Sequence, residues 1–396
     1  MTDLTQKQID QTRINQSYGR RIIRSAFTGW GARLGLAWVI ILSFVAAFAP
    51  ILANSMPLIA SKSGEIIFPI LRYISAEDVL VMSSFLVLLV LWKMRLTFST
   101  KLWIFATLVM LAGFAGKAFV SPPKLIVYEQ YRETANEYDW MVLPPIPYSA
   151  KDYLRDFGDT GLEAPLSDSK RHHIMGTDEN GADVASRMIH ASRIAMSIGF
   201  IATGIAMFLG IIIGGQMGYF SGKVDMFGMR LVEIFEAIPV LFLLLTFVAF
   251  FGRSIYIMMI IIGVTGWSGY ARYIRAEFLK LRKQDYVQAA IASGLPLRSI
   301  LFKHMLPNGI APLLVAASFG VASAILAVAT LSFLGLGLVD EPSWGQMLNQ
   351  AVKSSVFNWW MAAFPGGAIF LTVFAYNLMG EALRDAIDPT VTKRED

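Results

Sequence analysis

Residues 282–308 read Arg282-Lys-Gln-Asp-Tyr-Val-Gln-Ala-Ala-Ile-Ala-Ser-Gly294, then Leu-Pro-Leu-Arg-Ser-Ile-Leu-Phe-Lys-His-Met-Leu-Pro-Asn308. Asp285 is placed to cap a short helix whose face includes Tyr286, Ala289 and Ala290. Gly294 suits the left-handed stop just past that helix. The small alanines let another surface come close. The stretch lies between two apolar runs, 254–270 and 309–338, and the segment 271–308 carries seven Lys and Arg. Cations beside apolar runs mark the cytoplasmic side of a membrane and hold a loop at the anionic leaflet. A helix–glycine–helix elbow in that position can transmit rigid-body motion. Charge and helicity alone fit an ordinary basic connector equally well.

The rest of the chain agrees with a membrane setting. Of its 396 residues, 55% are hydrophobic and 16% charged, where soluble domains carry about a quarter charged residues. Eight runs approach the roughly 20 residues that cross hydrocarbon as a helix: 34–52, 79–92, 102–120, 194–216, 231–251, 254–270, 309–338 and 360–380. The second, with 14 residues from Val79 to Trp92, fits either a tilted span or a re-entrant segment. The seventh is long enough to break near Ser332 to Gly337, and Pro239 is placed to kink the fifth. The first run is too long for a signal sequence and reads as a retained span. With the N-terminus inside, segments 1–33, 93–101, 217–230, 271–308 and 381–396 hold 21 of the 34 Lys and Arg; the opposite orientation puts those cations outside. The expected class is therefore an all-α membrane protein, a polytopic helical bundle in the cytoplasmic membrane with both termini cytoplasmic. The absence of cysteine excludes disulfides, thiolate metal sites and cysteine nucleophiles. The net charge of +5 belongs to the membrane topology rather than to nucleic acid.

Spacing makes the elbow specific. Gln288-Ala-Ala, three residues, Gly294, nine residues, His304, one residue, Leu306-Pro307 resembles the EAA loop of ABC importer permeases. Gly176-Thr-Asp-Glu-Asn-Gly-Ala-Asp-Val-Ala-Ser-Arg187 resembles the GTDxxGRDVxSR segment of the dipeptide/oligopeptide/nickel permeases. Gly218 to Asp225, Gly269 to Glu277, Leu331 to Gly337, Pro342-Ser-Trp-Gly345 and Leu383 to Pro389 follow the same pattern. The resemblance covers residues 172–390 and is closest to the second permease subunit, in the microcin C/oligopeptide branch, where Phe68 to Leu71 and Trp140 to Pro147 also match. Gln288 stands where the motif has glutamate, and Ala182 where arginine is usual. The family core has six spans, so spans two and three read as an extra N-terminal helical hairpin.

The resemblance implies a type I ABC importer transmembrane-domain fold: a cytoplasmic tail 1–33, the first span with the inserted hairpin (34–120), an extracytoplasmic region 121–190, the permease core 191–390 with its loop 271–308, and a tail 391–396. It implies a homologous permease partner in a heterodimer, two ATP-binding subunits that receive the loop, an extracytoplasmic solute-binding protein, and a peptide or similar solute. Tyr286, Gln288, Ala289, Ala290, Gly294, Leu306 and Pro307 are the expected ATPase-docking residues. The sequence contains no G-x-x-x-x-G-K-[ST] phosphate cradle, no triad or paired-carboxylate arrangement for catalysis, and no histidine grouping that would hold a metal; His172 and His173 are adjacent, and His190 reads as interfacial. The chain is thus expected to be a transport subunit rather than an enzyme, without a cofactor.

Two further sets stay open at this level. Thr177 to Arg193 reads as an interfacial helix capped by Asp178 or Asp183, and Asp178, Asp183 and Arg187 fit an outer gate lever or a membrane-surface anchor equally. Glu233 and Glu236, three residues apart, either line the solute path or sit at the interface with Arg230, the second being favoured. Trp344, Trp359 and Trp360 fit an interfacial aromatic belt. The rival to an ABC permease is a stand-alone secondary transporter or channel, which predicts mid-membrane ionisable groups and inverted repeats; neither is evident.

Overall fold

The computed structural model describes residues 26–123, 126–128, 130–153, 162–167, 173–338, 341–356 and 358–387. The tails 1–25 and 388–396, and His172, lie outside them. A backbone crossing hydrocarbon must satisfy its own N–H and C=O groups, and the apolar runs do so as helices. In chain order the main helices are α1 (Trp30–Ala47), α2 (Ala76–Lys93), α3 (Phe98–Phe119), α4 (Val184–Phe220), α5 (Gly222–Ala237), α6 (Val240–Phe251), α7 (Ile255–Leu281), α8 (Asp285–Ala292), α9 (Leu306–Phe333), α10 (Trp344–Lys353) and α11 (Trp359–Ile387). Among the described residues six are long and apolar enough to cross a membrane, namely α1, α3, α4, α7, α9 with the turn before it, and α11; α5 and α6 together make a seventh, bent by 74°. The bend falls at Ile238-Pro239, as the proline predicts. The expected second span is the 18-residue helix α2, which carries Glu77, Asp78 and Lys93 at its ends and is not among the six.

The chain divides into two compact units. One comprises Met1–Val39, Ser197–Leu331 and Ile369–Asp396, and the other Ile40–Met196 and Ser332–Ala368.

The first unit is organised by a glycine seam between α4 and α7. A Cβ at Gly210 would lie 2.4 Å from the Cβ of Tyr270, one at Gly214 2.3 Å from the Ala271 carbonyl, and one at Gly218 2.5 Å from the Cβ of Phe278. Three glycines four residues apart thus bring two backbones together, the usual device where helices pack without a hydrophobic driving force. Beyond the seam, Ile274, Phe278, Met305 and Leu313 are fully buried and pack with Val287 and Ala290 of α8. A π-helical turn, Ile300–Met305, leads into α9 just ahead of Pro307, whose ring has no N–H and crowds the carbonyl four residues back; a wider turn absorbs that.

In the second unit α2 and α3 form an antiparallel hairpin, with Gly116 against Ala76 and Gly113 against Leu80. Ser75 and Asp78 close a capping box on α2. Beside them lies a small sheet that composition did not suggest. Strands β1 (Ile59–Lys62), β2 (Glu65–Ile67) and β3 (Trp140–Val142) pair antiparallel in the order β2-β1-β3. Ser63 and Gly64 both have positive φ, 57° and 83°, which matches the twist of a two-residue hairpin. The Asp139 carboxylate accepts hydrogen bonds from Gly64 N and Ser61 Oγ, and these donors hold its pKa below the ordinary carboxylate range. Asp152 accepts from Ser55 Oγ at 2.6 Å and from both terminal nitrogens of Arg132. This part of the second unit is therefore built from residues on both sides of the inserted hairpin.

Two expected boundaries are corrected. The interfacial helix 177–193 and the span 194–216 are one helix, α4, of 37 residues; residues 177–183 form a turn instead. The loop expected at 217–230 is mostly helical, because α5 begins at Gly222.

Gly214→Leu is expected to separate α4 from α7 and to lower stability by roughly 1–3 kcal/mol, as overpacking does. Gly269→Ala, whose new Cβ meets nothing within 4 Å, should hold or slightly raise the melting temperature of the detergent-purified chain, since alanine favours a helix interior over glycine.

Candidate functional site

The elbow begins where α7 ends. Lys283 N and Gln284 N donate back to Lys280 and Leu281 carbonyls, turning the chain sharply. Gln284, in extended backbone, is the N-cap of α8, and no side chain caps the helix. Asp285 is therefore the first helical residue rather than the expected cap; its carboxylate acts through its charge at the positive helix end. Gln288 instead serves the helix before it: its Nε2 donates at 2.7 Å to the carbonyl of Arg282, the C-cap of α7. That contact needs an N–H, so glutamine serves here where the family motif carries glutamate.

One face of α8 is locked. Val287 is fully buried and Ala290 nearly so, both inside the cluster that includes Phe278, Leu281, Ile300 and Met305. Burying one aliphatic side chain from water is worth about 1.5–3 kcal/mol, enough to hold a helix of only eight residues that would be marginal alone. The other face is free: Tyr286, Gln288, Ala289 and Ile291 are exposed. Tyr286 Oη accepts from Asn308 Nδ2 at 3.3 Å, and Asn308 also donates to the His304 carbonyl. Partial burial pushes the Tyr286 phenol above its ordinary pKa, so it remains a neutral hydroxyl at physiological pH. Gly294, at φ 70°, closes the helix: its N–H donates to Ile291 O, and Leu295 N to Ala290 O at 3.2 Å, the paired bonds of a left-handed C-terminal stop. A Cβ at Gly294 meets nothing within 4 Å, so the demand for glycine is conformational and the surface around it is open.

The structure therefore places Tyr286, Gln288, Ala289, Gly294 and Pro307 on one exposed elbow. Ala290 faces inward, and Leu306 is half-buried against the same core. Sequence reasoning put Ala290 on the presented face because it adjoins Ala289; one residue further round a helix is 100°, enough to carry it from surface to core.

Contacts that sequence reasoning missed surround the elbow. Arg282 Nη1 donates to Ser221 Oγ at 2.8 Å. Arg275 grips Asp225 with two nitrogens, Nη2 to Oδ2 being 2.6 Å. Both lie within motif segments, but their pairing spans 50 residues or more and has no local signature. Glu233 pairs with Arg230 and Glu236 with Arg272, so both glutamates already have cationic partners.

In the second unit the Gly176–Arg187 segment is a polar knot. Asp178 Oδ1 accepts from the N–H groups of Asn180 and Ala182 at 2.9 Å each, and its other oxygen pairs with Arg187; both side chains are buried. Asp183, not Asp178, caps α4, accepting from Ser186 N at 2.6 Å while its second oxygen meets His173 Nδ1 at 2.8 Å. Trp360 and Trp344 are buried and donate to the Thr177 and Met188 carbonyls. They tie this knot together instead of forming the expected aromatic belt, and Trp359 is the half-exposed member. His190 Nε2 contacts the Ala53 carbonyl rather than a membrane interface.

A bundle of membrane-length helices with a packed elbow offering one face outward is the build of an integral membrane protein. Residues 190–393 match the family described as "Binding-protein-dependent transport system inner membrane component", and the chain belongs to that family. Among its relatives, the oligopeptide transport system permease protein of Haemophilus influenzae is 39% identical over 55% of this chain and 70% of its own length. The di/tripeptide transport system permease protein of Pseudomonas aeruginosa is 37% identical over 61% and 80%. The dipeptide transport system permease protein of Alkalihalophilus pseudofirmus is 34% identical over 59% and 77%. The chain is a permease subunit of that family, built almost wholly of helices.

Gln288→Glu should weaken α8 more than Gln288→Ala, since a carboxylate facing the Arg282 carbonyl repels it. The loss expected is ~1 kcal/mol of local stability, read as faster amide exchange across 285–294. Arg187→Met leaves the Asp178 carboxylate buried without its cation and is expected to cost about 3–5 kcal/mol, measured by thermal unfolding.

Proposed function

We propose that this permease subunit imports peptides or closely similar solutes, driven by ATP hydrolysed on separate subunits that receive the α8 elbow. The observation that carries the reading is the two-sidedness of α8. Val287 and Ala290 fix it to the core of the first unit, while Tyr286, Gln288, Ala289 and Gly294 remain exposed. A helix held this firmly on one side and bare on the other is suited to take a push and pass it on. The peptide assignment is supported by the relatives, which are named as oligopeptide, dipeptide and di/tripeptide permeases.

In this reading α2 crosses the membrane with α3 as an eighth span, and the 271–308 loop and both termini face the cytoplasm, where the basic segments belong. A homologous permease completes the solute path as a heterodimer, two ATP-binding subunits dock on the two elbows, and an extracytoplasmic protein delivers the solute. Pro307 and Leu306 set the direction in which α9 leaves the docking surface. Asp178, Asp183 and Arg187 hold the outer end of α4 as one rigid turn beside the entry to the path. Glu233 and Glu236 can meet a peptide amine only by exchanging Arg230 and Arg272 for it, which favours their role as anchors of α5. A stand-alone secondary transporter would have no use for an exposed, structurally fixed elbow.

Gly294→Arg tests the docking. Arginine at φ 70° strains the stop and fills the open surface. Co-purification of ATP-binding subunits and uptake of a labelled tripeptide should both fall roughly tenfold or more, as when a central interface contact is lost, with membrane insertion unchanged. Normal co-purification with normal uptake would sink the proposal.

A further inference from the structure

We infer that Asp225 and Arg275 form a positioning latch that makes α5 and α6 follow the motion of α8. The inference rests on the reading of α8 as the ATPase-receiving element, and goes beyond it by naming the residues through which a displacement leaves the elbow.

The chain offers two routes from α8 into the first unit. One is apolar: Val287 and Ala290 pack on Phe278 and Met305, so α8 carries the end of α7 with it. The other is polar and points toward α5. At the α4–α5 corner Ser221 has φ 49° and Gly222 φ 57°. A non-glycine residue in that region is held there by its surroundings rather than by preference. Here the holder is Arg282 Nη1, on the Ser221 hydroxyl at 2.8 Å. One turn into α5, Asp225 is gripped by Arg275 from α7 in a two-pronged contact, the geometry that fixes orientation as well as distance. Asp225 and Arg275 are both partly buried, so water screens the pair less than a surface contact.

The two contacts lie on either side of the strained corner, and both arginines lie on the same arm. Arg275 is in α7 and Arg282 is its C-cap, three residues before α8 begins. Any tilt that docking imposes on α8 and the end of α7 therefore pulls at α5 on both sides of its start. α5 cannot absorb the pull by sliding, because Val232 is fully buried with Met217, Trp267 and Ala271. It can transmit the pull to the Ile238-Pro239 break, where proline supplies no N–H to continue the helix and the chain turns by 74° into α6. The latch is thus a device of position: neither residue touches nucleotide or solute.

The chain has no cysteine, so one introduced at the break is a clean reporter. Ile238→Cys, at an exposed site, is placed in the complete complex in inside-out vesicles and labelled with a maleimide, with and without ATP plus orthovanadate. In the otherwise unaltered complex, vanadate trapping should change the labelling rate. Adding Asp225→Asn should shrink that change at least about fivefold, the low end of an allosteric coupling, while ATP-binding subunits still co-purify and still trap nucleotide. Asp225→Arg with Arg275→Asp should restore it. A full response in Asp225→Asn overturns the latch, as does a charge-swapped complex that retains its ATP-binding subunits yet stays unresponsive. A purely structural role would lower subunit retention and leave the response intact in the complexes that remain, which also overturns it. An unaltered complex with no nucleotide-dependent change overturns the docking reading itself.

Discussion

The close approach of α4 to α7 governs everything that the first unit does. Hydrocarbon gives no hydrophobic reward for bringing two apolar helices together, so contact must come from fit. Gly210, Gly214 and Gly218 supply it by removing every side chain from one stripe of α4, and the backbone of α7 at Tyr270, Ala271 and Arg275 occupies the vacated space. From that seam the positions of Phe278 and Leu281 follow, and with them the pocket in which Val287 and Ala290 seat α8. The elbow is presented at a fixed angle because the helix beneath it has no side-chain layer that could compress.

How much of this could be read in the sequence depends on the range over which each signal acts. The membrane setting, the helical class, the Gly294 stop and the proline bend are local: each follows from a run, a φ requirement or a missing N–H, and each stands in the structure. The elbow was legible as a spacing, but which of its residues point outward was not. Ala290 turned inward because the core under α8 draws on Ala206, Tyr270, Ile274, Phe278, Leu281 and Leu313, all outside the motif. Asp285 looked like a cap because of its side chain; the backbone placed the cap one residue earlier. The sheet was invisible because its strands are three or four residues long and β3 lies nearly 80 residues from β1, too short for alternation to register and too distant for a hairpin signal.

The merger of the expected interfacial helix with the fourth span has the same origin. The polar residues from Gly176 to Arg187 suggested a segment lying at the membrane surface, and the apolar run after 194 suggested a fresh start. The structure resolves the polarity differently. Asp178 pairs with Arg187 and Asp183 with His173 inside protein, and α4 begins within the knot and continues through the apolar run. Polar composition predicts exposure only when the partners are unknown; a carboxylate with two backbone donors and an arginine can be accommodated inside protein.

Departures from the family pattern are informative for the same reason. Glutamate and glutamine at position 288 are usually treated as interchangeable in helix propensity, yet they differ in what they can do for the turn at Arg282. A carboxylate can only accept, and the Arg282 carbonyl can only accept; an amide can close that gap and an ion cannot. No side chain at Gln284 or Asp285 caps α8, and the amide at 288 acts differently from a cap, tying the first turn of α8 to the carbonyl at the end of α7. Where a relative carries glutamate, the tie must be made by another donor, in the chain or in its partner. The glutamine therefore marks an elbow whose angle is set from within the permease, and that is the condition under which a push on its exposed face reaches α5 instead of being spent in bending the turn.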